Sequence, residues 1–345
     1  MFQIYENFGN NPPKMNDVLD FVGILTHEPL HAETDVILNV PTLHVLFTRP
    51  QKLDVLPTPG FHTTATEALQ KELVSWIAEE ALGGDQDAAE QSRIRSLNPP
   101  SLALSHFPPP SSPSLEPPPP TISHVLSLLL PTFVTLPLSL ELLNTTPFVP
   151  ESSEEDLSSG VLQLSSGTTL LITETNVREG QLVEKGVMNV MAIQDVMESQ
   201  TLSYKFPFSQ FSFPTDIQFI VLSEGKKSVF LKTDVTVPLR PSGSSNLYKP
   251  NSQVVLPSLE KLASFRRLIL GARFGKIEVG QQTSEHIQQD FVEERKSDKS
   301  ISSDHLKLSI TTTRLLGLTL LEKELTIETW KRSKALEARR KARLD

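Results

Sequence analysis

The 345 residues carry 41 acidic against 32 basic side chains, a net charge of −9 that argues against a general nucleic-acid binder, whose surface is normally basic. There is no cysteine, which excludes disulfides, thiolate metal sites and a thiol nucleophile and fits a reducing compartment. The length suffices for two domains and a sizeable core, and the opening MFQIYENFG lacks the basic and apolar regions of a signal peptide, so secretion is not expected.

In chain order, Val18–Leu25 (VLDFVGIL) and Leu43–Thr48 (LHVLFT) read as strands, so residues 1–58 are expected to form a small β-rich unit. His27 and His31 do not suggest a metal site, because Pro29 between them breaks the helix that would set both on one face. Thr63–Leu82 reads as a helix, with Leu69, Leu73, Ile77 and Ala81 at helical spacing. Pro108–Pro120 (PPPSSPSLEPPPP) holds eight of the 27 prolines and favours extended, solvated backbone. It reads as a surface linker, with a proline-recognition ligand as the other reading. Val125–Leu140 has no charge, but it is shorter than the ~20 residues of a membrane helix and is broken by Pro131 and Pro137. A helix ending near Leu130 and a strand from Phe133 toward Leu140 fit it better, and no membrane role is expected. Asn144-Thr145-Thr146 matches a glycosylation acceptor but reads as a turn. Glu151–Ser159, with Glu151, Glu154, Glu155 and Asp156, reads as a solvated acidic loop, and Pro241–Pro250 as another loop.

The most telling stretch is Val161–Thr175 (VLQLSSGTTLLITET). A short apolar run ending in acids reads as a buried parallel strand presenting carboxylates at its C-terminal edge. In an ATPase an Asp–Glu pair there would hold Mg²⁺ and polarise water. Here Leu170, Leu171 and Ile172 lead into Thr173 and Glu174, so one of the two acids is a hydroxyl. Further on, Thr201–Lys205 and Gln210–Ser212 read as the arms of a hairpin, and Asp216–Leu222 (DIQFIVL) as a core strand ending in polar Ser223 and Glu224. From Pro257 the chain reads as helical, with Leu259, Leu262, Ala263, Ile269 and Leu270 on one apolar face. Ser302 and Thr326 stand at N-cap positions of two further helices. The expected class is therefore α/β: a β-rich segment (1–58), an α/β core (59–255) with the proline-rich insertion 108–120, and a helical lid with a basic last helix (256–345).

No G-x-x-x-x-G-K-[ST], G-x-S-x-G or H-E-x-x-H motif occurs, so neither catalytic residues nor a cofactor is expected. Lys331, Arg332, Lys334, Arg339, Arg340, Lys341 and Arg343 crowd the C-terminus of an otherwise acidic chain. Within them Arg339, Arg340, Lys341 and Arg343 form a candidate nuclear-import cluster, a solvated helix face being the other reading.

Ordered blocks along the chain resemble the minichromosome maintenance (MCM) complex-binding protein family. They are Tyr5–Phe8 (YENF), Met15–Leu25 (MNDVLDFVGIL), Ala81–Asp85 (ALGGD) with Ala88-Ala89-Glu90, and Gly160–Leu164 (GVLQL). Glu174-Thr175 with Gly180-Gln181-Leu182, Gly186–Val190 (GVMNV), Phe213–Ile217 (FPTDI) and Ser223-Glu224-Gly225 follow. Asp290–Glu293 (DFVE) and Trp330–Glu337 (WKRSKALE) complete the set. The family usually has a region before the Tyr5 block, and an apolar helix where this chain has QSRIRSLNPP after Glu90. The resemblance implies a degenerate AAA+-like core with a C-terminal lid, behind an OB-like fragment. It implies a non-enzymatic partner of MCM helicase subunits in DNA replication, acting in assembly, chaperoning or unloading with a link to sister chromatid cohesion. It further implies a nuclear location and only indirect chromatin association. On this reading Gly84, Asp85 and Glu90 are remnants of a phosphate loop, with Glu90 and Gln91 in place of its Lys and Ser/Thr, and Thr173 and Glu174 are remnants of the metal site. A plain acidic helix start is the other reading of Gly84–Gln91, and a weak ATP-binding or ATPase-like regulator the other reading of the whole.

Overall fold

The computed structural model describes residues 2–5, 19–30, 38–50, 63–95, 100–110, 118–153, 156–174, 177, 180–242, 246–299 and 301–344. The chain divides into two compact units, Met1–Val55 and Leu56–Asp345. In the first, β1 (Phe2–Ile4) runs parallel to β3 (Leu38–Pro50), and β2 (Leu19–Leu30) pairs antiparallel with β3 on its other side. The register of β2 slips between Val22 and Gly23, and a Cβ on Gly23 would meet the His44 carbonyl at 2.1 Å, so only glycine fits this bulge. His31 lies outside the described residues.

The second unit is built around a five-stranded parallel sheet with helices on both faces. Its elements begin with α1 (Thr63–Ala81), α2 (Gln86–Arg95), β4 (Leu102–Ser105), α3 (Thr121–Leu129), β5 (Phe133–Pro137) and α4 (Leu140–Thr145). Then come β6 (Glu151–Ser153), β7 (Asp156–Ser158), β8 (Thr168–Thr173), α5 (Glu184–Ser199), β9 (Thr201–Phe206), β10 (Ser209–Pro214), β11 (Ile217–Leu222) and β12 (Val235–Pro238). The chain ends with α6 (Leu259–Phe274), β13 (Glu278–Val279), α7 (Gln281–Ser297), α8 (Ser303–Thr319), β14 (Glu324–Leu325) and α9 (Ile327–Lys341). The parallel sheet has the order β12-β4-β11-β8-β5.

Side chains alternate across this sheet, as strand geometry dictates. Leu102, Leu104, Leu171, Ile220 and Leu222 join a core shared with α1, α2, α3, α6 and α8. Ala103, Leu170, Ile172, Phe219 and Val221 face the other way, into a core with Leu143 of α4 and Ile193 and Val196 of α5. Both faces are covered, so β8 and β11 are buried at every position and read as unbroken apolar runs. A small third cluster, Ile277, Ile287, Leu325 and Trp330, seats α7 against α9.

The helix α1, the helix–strand reading of 125–140, the hairpin β9–β10 and the strands β8 and β11 stand where the sequence puts them. Ser302 and Thr326 cap their helices, accepting from the His305 and Thr329 amides at 3.3 and 3.1 Å. Two expectations are corrected. The acidic stretch 151–159 is not simply a loop: β6 and β7 pair within it, and β6 continues onto β9 with Glu151 beside Lys205. Leu259 does not belong to the buried face of α6, being 85% exposed on its first residue, while Phe265 and Leu268 fill that role. The stretch from Glu90 to the prolines contains both most of α2 and the strand β4, which pairs on both sides.

Candidate functional site at the sheet edge and the last helix

In open parallel sheets ligands bind outside the carboxyl ends of the strands. Among the described residues, part of that edge is taken up by contacts within the protein. Beyond β4, the His106 and Phe107 amides donate to the Gly225 and Ser223 carbonyls at 3.1 and 2.9 Å. His106 adopts a positive φ of 56° to make the turn. Phe107 is fully buried and meets the Tyr248 ring edge-on at 6.0 Å, and the Tyr248 hydroxyl donates to the Pro108 carbonyl at 2.8 Å. Burial, and then the charge of Glu224, push the Tyr248 phenol up. The start of α3 would be the natural anion cradle, because its first amides have no helical partner. The segment after Asn246 occupies it: the Thr121 amide donates to Leu247 O at 2.8 Å, and Thr121 Oγ1 accepts from the Lys249 amide at 2.8 Å.

Thr173 ends β8, Glu174 follows it, and both are buried. The Glu174 carboxylate accepts from Ser228 Oγ at 2.5 Å and from the Val229 amide at 3.2 and 3.1 Å, so it anchors the loop after β11. Burial pushes its pKa up, against the opposing hydrogen bonds from Ser228, Val229 and Phe230. Among the described residues no group of three or more His, Asp or Glu side chains could hold a metal ion.

Gly84 and Asp85 lie elsewhere, on the turn from α1 to α2, and Glu90 within α2, all ahead of β4. Gly83 and Gly84 have φ of 62° and 86°, the left-handed region where glycine carries no Cβ penalty. Asp85 caps α2 by accepting from the Ala88 amide at 3.1 Å, and its other oxygen accepts from the Arg240 amide, just past β12, at 2.8 Å. Gln91 is buried with both amide atoms unpartnered.

The basic end of α9 closes on this turn. Arg343 Nη1 donates to both Asp85 oxygens at 2.9 and 2.7 Å, and its Nη2 to Asp87 at 2.6 Å. Burial lowers the Arg343 pKa, but the two carboxylates outweigh it and hold the guanidinium above its ordinary value. Arg339 bonds Asp87 at 2.9 Å and reaches Glu90 at 3.5 Å. Arg340 is held by Glu337 and by the Thr236 carbonyl at 2.8 Å, and Lys341 by His305 at 2.9 Å. The structure therefore joins Asp85 and Glu90 to the C-terminal basic cluster and gives Glu174 separate partners. Sequence reasoning missed two polar features. Arg93 is buried on α2, with its pKa lowered to about 10 by burial. Asp290 accepts from Trp330 Nε1 at 2.8 Å and Lys334 at 2.6 Å. The first had a signal, an arginine on the face of α2 shared with Ala89.

A family profile described as mini-chromosome maintenance replisome factor matches residues 1–344. Curated relatives called mini-chromosome maintenance complex-binding protein are similar to the chain. The one from Arabidopsis thaliana is 28% identical over 96% of this chain and 61% of its own length. Those from Gallus gallus and Homo sapiens are 35% and 33% identical over 65% and 64% of this chain, and 36% and 35% of their own. The chain thus spans about three fifths of the first relative's length and just over a third of the other two is aligned.

Proposed function

The chain belongs to the mini-chromosome maintenance replisome factor family, and from that premise we propose that it is a non-catalytic binding partner of the MCM helicase complex in DNA replication. Its role would be assembly, chaperoning or unloading of that complex, with nuclear location, indirect chromatin association and a link to sister chromatid cohesion as further parts of the reading. The relatives carry MCM complex binding in their names. The observation that supports the non-catalytic part lies at the sheet edge: the His106, Phe107 and Thr121 amides and the Glu174 carboxylate are bonded to protein. Phosphoryl transfer relies on positioned cations and amides facing the phosphates, and those groups are committed elsewhere.

The degenerate AAA+ core belongs to the same proposal. Numbered within the parallel sheet, the strand order is 5-1-4-3-2, unlike the 3-2-1-4-5 and 2-1-3-4-5 orders of dinucleotide and flavin folds. Within the sheet the acid-tipped strand β8 is third in chain order, and Gly84–Glu90 precedes the first strand, β4. The OB-like assignment of the first unit rests on the resemblance, as three strands are described there.

The test is affinity purification of the intact chain with identification of co-purifying MCM subunits, alongside ATP binding by the purified protein. Co-purification without ATP binding is expected, and residues 59–345 should be required. Saturable ATP binding would favour the regulator reading, and equal capture by residues 1–58 would contradict the assignment of the surface.

A further inference from the structure

Between α1, α2 and α9 lies a cavity of about 240 Å³ lined by Lys71, Arg93, Arg332 and Arg339 together with Asp87 and Glu90. Four cations face two carboxylates, a surplus of two positive charges. Both acids are already engaged: Asp87 with Arg339 and Arg343, Glu90 with Arg339 at 3.5 Å and Arg332 at 3.8 Å. Arg93 is only 3% exposed, and its Nε is buried with no hydrogen-bond partner. An unmade bond to a buried guanidinium is costly, since desolvation of the donor is not returned.

We propose that this cavity binds a phosphoryl dianion, either free orthophosphate or the phosphate of a modified side chain, through Arg93, Arg332 and Lys71. Guanidinium groups match the geometry of phosphate oxygens with paired N–H donors, and a dianion cancels the surplus of two. The volume is below the roughly 300–1,000 Å³ of pockets for drug-sized ligands, and a small oxyanion fits the space. A water could accept from Arg93 but would leave the charge surplus in place. Burial lowers the Arg93 pKa, the charge of Glu90 opposes it and nearby Arg332 adds to it; a bound anion would offset the remaining penalty. The site is remote in kind from the sheet edge, being made by helices before β4 and after β14.

Isothermal titration of the full chain with inorganic phosphate, against chloride at equal ionic strength, tests this. Lys71 and Arg332 are exposed, so Lys71→Ala and Arg332→Ala should fold, which far-UV circular dichroism checks. Each loses a charge-assisted contact and should weaken phosphate binding about tenfold or more. Lys331→Ala, on α9 but outside the cavity, should bind as wild type. A parallel titration with O-phosphoserine separates the sources: binding of both assigns a site open to a phosphorylated side chain, and binding of phosphate alone assigns the free ion. Heats indistinguishable from chloride, or undiminished phosphate affinity in Lys71→Ala and Arg332→Ala, would overturn the proposal.

Discussion

Replacing Arg343 by alanine tests whether the basic end of α9 is a clamp or a solvated face. The Asp85 side chain is fully buried and that of Arg343 is 13% exposed, so water screens the pair little. Removing one member of a buried pair costs about 3–5 kcal/mol when the other charge is stranded. Asp85 is not wholly stranded, because the Ala88 and Arg240 amides still donate to it, and Asp87 keeps Arg339. That places Arg343→Ala lower, at about 2–3 kcal/mol. At about 2–4 °C per kcal/mol for domains of this order of size, Tm should fall by roughly 4–12 °C. Asp85→Ala should cost more, about 3–4 kcal/mol, as it also removes the cap of α2 and leaves the Arg240 amide unpaired. The double variant should then be less destabilised than the sum, with a coupling of about 2 kcal/mol. Urea unfolding of the full chain reads all three, with Lys331→Ala as the exposed control. An Arg343→Ala loss within about 0.5 kcal/mol, or additive single effects, would refute the clamp.

Two further outcomes concern pH. The Glu174 pKa is raised in the fold by burial, so its contribution to stability is full below the unfolded carboxylate range and lost as pH rises through the raised value. Glu174→Gln should remove that loss, so the variant gains on wild type in urea midpoints as pH rises above the ordinary carboxylate range; parallel curves would count against it. Burial raises the Asp290 pKa, but the hydrogen bonds of Lys334 and Trp330 and the nearby positive charges outweigh it and hold the net value below the ordinary range. Its contribution is present above the unfolded value and lost as pH falls through the lowered one. Asp290→Asn should flatten the acid limb of stability below about pH 4, read by the fluorescence of Trp330, whose indole N–H it accepts. An unchanged acid limb would reject the assignment.

What the sequence reveals and what it hides follow from range. The strand β8 is legible because a strand buried on both faces needs a continuous apolar run, and Leu170–Ile172 supplies one before the acid. The strand β4 is only LALS, four residues with no alternation to read, between a helix and a proline tract. Helix α5 is blurred because Val187, Met188 and Met191 are exposed, so the apolar residues do not mark one buried face. The pairing of Asp85 with Arg343 joins residues 258 positions apart, and each alone looks like a charge on a solvated surface. The glycines beside Asp85 suggest a phosphate loop for the same reason they form the turn, which is tolerance of positive φ.

That shared origin bears on how the protein works. A nucleotide-switched module changes shape because some contacts exist only while the γ-phosphate is present. In this chain the last helix is tied down by contacts within the protein. Arg343 ties the end of α9 to the turn after α1, Asp85 carries the tie to the end of β12, and Arg340 adds a bond to the Thr236 carbonyl. The C-terminal helix is thus held to the edge strand β12 by side-chain contacts. A surface presented to a partner gains from such constant geometry, since no ordering cost recurs at each encounter. The same bonds bear on the proposed nuclear import. A receptor that read Arg339, Arg340, Lys341 and Arg343 would have to take guanidinium groups already bound to Asp85, Asp87 and Glu337. Alanine at all four positions would then loosen the fold as well as erase the signal. Loss of nuclear accumulation is informative only beside Asp85→Ala, which opens the clamp and leaves every basic residue in place: import kept by Asp85→Ala and lost by the fourfold variant would mark the cluster as the signal, and equal loss in both would mark the fold as the requirement.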